Sequence, residues 1–126
     1  MRIKINSIKN AGDIDNERVV LVAVLADDIG HYLLFNTTRN DNGSVSTRLQ
    51  YPFWLPDKEV SAGDLIVIYT KSGKDKDKQY SRSTTHFLYR GMEHPIWDGE
   101  RQDPLLMDIR KWAPLRSDSA DKDEDE

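Results

Sequence analysis

Cysteine is absent from this 126-residue chain. That excludes disulfides, thiolate chemistry and cysteine-ligated zinc. Small secreted domains usually depend on such crosslinks, so the absence favours a reducing, cytoplasmic setting. Long apolar runs are missing too. The longest, Val19 to Ala26, falls far short of a bilayer span. Met1-Arg2-Ile3-Lys4-Ile5-Asn6 lacks the apolar core of a secretion signal. The sequons at Asn36 and Asn42 are therefore read as chance matches. Hydrophobic residues make up 37% of the chain and charged residues 32%, polar for a folded domain but short of a disordered composition.

Charge is unevenly placed. Ser117 to Glu126 holds six acids and one base, a net −5 against −4 for the whole chain, which leaves the body at +1. The pI thus describes the tail. Its low complexity after Pro114 predicts disorder.

What is present reads as strands. Ile3 and Ile5 alternate with polar neighbours, Arg18 to Leu25 is a β-branched run suited to burial on both faces, and Tyr32 to Phe35 is short and apolar. Asn40-Asp41-Asn42-Gly43 predicts a two-residue hairpin turn, with Leu33–Arg39 pairing to Ser44–Leu49. Tyr51 to Asp57 is bracketed by prolines, so it predicts an edge or loop wall, with Phe53, Trp54 and Leu55 plugging the core. Leu65 to Thr70 predicts a central strand, and Thr84 to Tyr89 and Leu105 to Ile109 two more. Between them, Ser72 to Ser83 carries Lys74-Asp75-Lys76-Asp77-Lys78 with no apolar anchor, which predicts a mobile hairpin loop. The spacing of short strands and turn signals suits an antiparallel sandwich or barrel.

Chemical motifs are sparse. His31, His86 and His94 lack metal-ligand spacing to one another. Thr84 and His86 share a strand face, but no nucleophile elbow accompanies them. Gly73-Lys74 lacks the spacing of a phosphate loop. Lys71, Lys74, Lys76, Lys78 and Arg82 fall near Tyr69, Tyr80 and Tyr89, a mixture that neutralises phosphates and stacks on bases. Against it stand Asp75, Asp77 and a nearly neutral body. Trp97, beside His94, Pro95 and Ile96 in an irregular segment, is expected near the surface as a binding anchor.

The segment order resembles the lamin tail domain over about residues 1–112. The resemblance rests on the opening strand, Asn10-Ala11-Gly12-Asp13 and Glu17-Arg18-Val19-Val20-Leu21. It continues through Ala26-Asp27-Asp28-Ile29-Gly30-His31-Tyr32-Leu33-Leu34, Phe53-Trp54-Leu55-Pro56-Asp57 and Ala62-Gly63-Asp64-Leu65-Ile66-Val67-Ile68-Tyr69-Thr70, with Trp97 to Ile109 as a final strand pair. It implies an immunoglobulin-like β-sandwich and a non-catalytic module that binds protein or nucleic acid.

The expectation is therefore an all-β, immunoglobulin-like antiparallel β-sandwich of seven or eight short strands over residues 1–114, with a disordered acidic tail over 115–126. It would act as a binding module without cofactor or metal, through loops or an edge strand, on another protein or a second copy. Candidate contacts are Trp97, His94, Tyr80, Arg82, Lys74, Lys76 and Lys78. The alternative is a nucleic-acid-associated accessory protein that uses the 69–89 hairpin, with the acidic tail as competitor.

Overall fold

The structure, a computed structural model, describes residues 1–115. The expected disordered tail lies, but for Leu115, outside the described residues. The chain is nearly all β. Its strands are β1 (Ile3–Lys9), β2 (Arg18–Ala23), β3 (Asp27–Asp28), β4 (Tyr32–Thr38), β5 (Gln50–Trp54), β6 (Glu59–Val60), β7 (Leu65–Tyr69), β8 (Lys76–Gln79), β9 (Thr84–Tyr89) and β10 (Gln102–Asp108). Among the described residues the helical content is a single 3-10 turn, Ile29–His31, capped by the Asp28 side chain. Among the described residues no helix is long and apolar enough to cross a membrane.

Three sheets form. A five-stranded sheet runs β1-β2-β7-β9-β8, a three-stranded sheet runs β10-β4-β5, and β3 pairs with β6. All these pairings are antiparallel except β7 with β9, which run parallel, so the five-stranded sheet is mixed. The exception corrects the all-antiparallel expectation. After β7 the chain crosses to the outer edge as β8, and the Tyr80–Ser83 turn returns it as β9 beside β7.

The inner faces of the two larger sheets share one core. Ile3, Val19, Leu21, Ile66, Ile68 and Leu88 come from the five-stranded sheet, and Tyr32, Leu34 and Leu106 from the three-stranded one. Period-two alternation places these side chains on one face of each strand. In the middle of β2, Val19 and Leu21 sit in the core, while Val20, on the outward face, is buried among its neighbouring side chains.

Three local readings change. Ser72–Ser83 contains a paired strand, β8, which ladders onto β9. Gly43 has a φ of +86°, and Asn40 closes the turn against Ser44, but Asn42 does not share the positive φ that a type I′ turn requires. Beyond Ser44 the arm is held by the Arg39–Val45 bridge, a Ser46-to-Thr38 backbone hydrogen bond and the Thr37 hydroxyl, which donates to the Ser46 carbonyl at 2.7 Å. β4 pairs instead with β5. Trp54 also faces outward, 45% exposed, while its neighbours Leu55 and Phe53 contact the core.

Candidate binding surfaces

Burial of the irregular segment between β9 and β10 begins with Glu17, which is fully buried. Its Oε1 accepts from the Gly12 amide at 2.9 Å, and its Oε2 accepts from the Thr70 hydroxyl at 2.6 Å and the Ile96 amide at 2.9 Å. Asn36 on β4 donates its Nδ2 to the Ile96 carbonyl at 2.7 Å. Both backbone groups of Ile96 are thus held, one from each side of the core. Trp97, the next residue, is driven inside and is only 2% exposed. This overturns its reading as a surface anchor. Arg90 lies nearby. Burial pushes its guanidinium down to about 10, against the opposing charge of Glu17.

His86 is the second buried polar centre, 5% exposed on the inner side of β9. Its Nε2 lies 2.9 Å from Asp64 Oδ2 and its Nδ1 lies 3.0 Å from Asp77 Oδ1. A neutral imidazole has one N–H, so only the protonated ring donates to both carboxylates. Desolvation works to raise the Asp64 carboxyl, but His86 and the Thr84 and Ser61 amides outweigh it and hold the group low. Lys58, 2.8 Å away, is the main cause of the low Asp77 carboxyl. The network closes the β8 edge onto the domain and engages both ring nitrogens. Among the described residues no group of three or more histidines and carboxylates converges to hold a metal ion.

The outward face of the five-stranded sheet follows from its register. One row reads Lys4, Val22, Leu65, Thr85, Lys78; the next reads Ser7, Val20, Val67, Phe87, Lys76; a third reads Lys9, Arg18, Tyr69, Tyr89. Apolar and aromatic groups fill the middle and cations line both margins. Tyr69 and Tyr89 stack at 5.2 Å between ring centroids. Gly73 lies flat on Tyr89, where an added Cβ would come within 2.4 Å of the ring. Lys71 lies over Tyr69, Lys76 over Phe87 and Lys78 over Tyr80. A shallow cleft of about 510 Å³ runs along this face.

The outward face of the three-stranded sheet differs in kind. Register places Met107, Leu33 and Trp54 in one row and Leu105 beside Phe35 in the next. Trp112 packs edge-on against Trp54 at 4.7 Å. Met107, Trp54 and Trp112 are 37%, 45% and 61% exposed. The segment carrying Trp112 is tied down by Arg110, which bonds Asp27 and Asp108. The Arg110 guanidinium is the main cause that holds the Asp27 carboxyl far below its usual range. Burial, then the Asp27 contact, pushes the Tyr32 phenol up to about 12.

That tie has a pH signature. A depressed carboxyl stabilises the fold above its unfolded value of 3.8 and loses the contribution as pH falls toward the lower folded value. Denaturant titrations from about pH 7 down to about pH 3 should show stability falling below about pH 4. Asp27→Asn should be less stable at neutral pH and lose less on acidification. A fall as steep as in the parent would remove Asp27 from this role.

The candidate residues divide. Lys76 and Lys78 project from β8 onto the cationic margin, and Tyr80, 47% exposed, stands beside them in the β8–β9 turn. Arg82 is exposed in that same turn and Lys74 in the crossover before β8. His94 is exposed in the segment that buries Trp97, so of these two candidates only His94 stands on the surface. Lys4, Lys9 and Arg18 were missed: alternation marks Lys4 as outward, but Lys9 reaches that face only because the bulge between Ile5 and Ser7 shifts the register, and Arg18 opens a continuous apolar run. Trp54, expected to plug the core, stands outward, and Trp112 joins it on the surface.

The chain matches no protein-family model, no curated protein and no solved structure.

Proposed function

We propose that the chain is a non-catalytic protein-binding module that pairs with a second copy of itself through the outward face of its three-stranded sheet. The observation that carries this reading is the run of Leu33, Phe35, Trp54, Leu105, Met107 and Trp112 on one outward surface. Singly scattered apolar residues are normal on a protein surface, whereas contiguous ones mark contact sites. Tryptophan and methionine are also the residue types enriched at interfaces. Edge-strand pairing is the weaker mode here. β5 carries Pro52 and β10 carries Pro104, while β8 presents Lys76 and Lys78. Such residues guard an open edge.

Two larger sheets with a shared core favour an immunoglobulin-like β-sandwich, in line with the lamin tail resemblance. The engagement of both His86 nitrogens supports a role without catalysis. A cysteine-free chain fits a cytoplasmic location.

Sedimentation velocity across a concentration series tests the pairing. A dimer is expected, and Trp54→Glu with Met107→Glu should return it to monomer with an unchanged circular dichroism spectrum. A parent that stays monomeric at its highest attainable concentration, or a dimer that survives the double substitution, would overturn the reading.

A further inference from the structure

We infer that the outward face of the five-stranded sheet is a binding site for single-stranded nucleic acid, separate from the apolar surface of the other sheet. The body of the chain carries only +1, too little on average for a phosphate-binding domain. The fold does not distribute that charge evenly. Lys4, Lys9, Arg18, Lys76 and Lys78 all occupy outward register positions of one sheet, Lys71 lies over Tyr69, and no carboxylate stands in any of the three rows.

The two acids that interrupt the lysines in sequence stay exposed but are engaged by other groups. Asp77 turns inward to His86 and Lys58. Asp75 accepts the Tyr89 amide at 3.1 Å. The alternation Lys-Asp-Lys-Asp-Lys, which looks self-cancelling in the chain, therefore presents its cations outward in β8 and engages its acids in holding the edge.

Geometry selects a single strand. With strands about 4.8 Å apart, Lys4 and Lys78 at the two ends of a row stand roughly 19 Å from each other. Between these margins lie Phe87 and the apolar floor of Val20 and Val67, with Tyr80 at one side. A backbone following one margin would place unstacked bases over this valley, where ring faces and cations act together. A duplex keeps its base faces stacked inside, so it gains the phosphate contacts and not the rings. Tyr69 and Tyr89 serve as floor rather than platform, because they stack on each other and Gly73 covers Tyr89. Tyr80, 47% exposed, is the ring most available to a base.

Fluorescence anisotropy of the full chain with labelled oligothymidylate and oligouridylate of about 12 nucleotides tests the site. Binding is expected at low salt, and it should weaken by roughly tenfold or more as salt rises from about 50 to 200 mM. Duplex of equal length should bind more weakly. Lys76→Glu with Lys78→Glu should cost roughly tenfold, and Tyr80→Ala roughly fivefold. Lys111→Glu, the same kind of charge change away from this face, should cost little. No binding at low salt would overturn the assignment. So would equal loss in Lys111→Glu, or displacement of the oligonucleotide by polyglutamate at equal charge concentration, which would mark an unselective cationic surface.

Discussion

Trp97→Ala is expected to unfold the domain, or to leave it so marginal that it melts near ambient temperature. The indole is 2% exposed and belongs to the shared core with Ile96, Leu34 and Ile3. Truncating a buried tryptophan costs about 3–5 kcal/mol in lost transfer energy and residual cavity. That is a large share of the about 5–15 kcal/mol that holds a typical domain together. Urea titration followed by circular dichroism reads the effect. A variant that unfolds at the parent's midpoint would show that Trp97 is a surface residue after all, as the sequence by itself implied.

The second large effect should come from Glu17→Ala. It removes the acceptor for three donors at once: the Gly12 amide, the Thr70 hydroxyl and the Ile96 amide. Each buried donor left without a partner costs about 1–3 kcal/mol. The total should not reach the simple sum, because the Gly12 loop can open to water; about 3–5 kcal/mol is expected. Glu17→Gln separates shape from acceptor count. Its carbonyl can replace the oxygen that serves Thr70 and Ile96, and its amide then faces the Gly12 N–H, so it should cost about 1–3 kcal/mol, the one lost bond. If alanine and glutamine variants are equally stable, the three-donor site does not hold Ile96 in place. Loss of that hold should also expose Trp97, which emission at longer wavelength would report in the native baseline.

Much of the strand content was legible because it follows from local pattern. The β-branched runs Arg18–Ala23 and Leu65–Tyr69 form β2 and β7, and Thr84–Tyr89 forms β9. What misled was any feature settled by distant partners. Val45, Thr47 and Leu49 alternate like a strand, yet no apolar layer lies beneath that arm to reward pairing, and β5 takes the ladder. Lys76–Gln79 has no apolar residue, so its place in the sheet rests on the β9 ladder and on Asp77 reaching His86 and Lys58.

The exchange of roles between Trp54 and Trp97 has the same origin. Trp97 is buried because Glu17, 79 residues before Ile96, and Asn36, 60 residues before it, bind the backbone of Ile96. No window of local sequence contains that information. Trp54 is outward because strand parity puts Phe53 on the core side, opposite Leu34. The cationic face was half visible. The Lys76–Lys78 margin stands in the sequence as a basic stretch, but its opposite margin comes from β1 and β2, which only the sheet order brings into the same rows.

Two outward faces with different chemistry are the centre of this account, and amide NMR reads both in one sample. Concentrating the protein should shift Leu33, Phe35, Trp54, Leu105 and Met107, and adding oligothymidylate should shift Lys76, Lys78, Tyr80 and Phe87, with little overlap between the two sets. Both perturbations falling on the same residues, or neither disturbing the residues named, would contradict it.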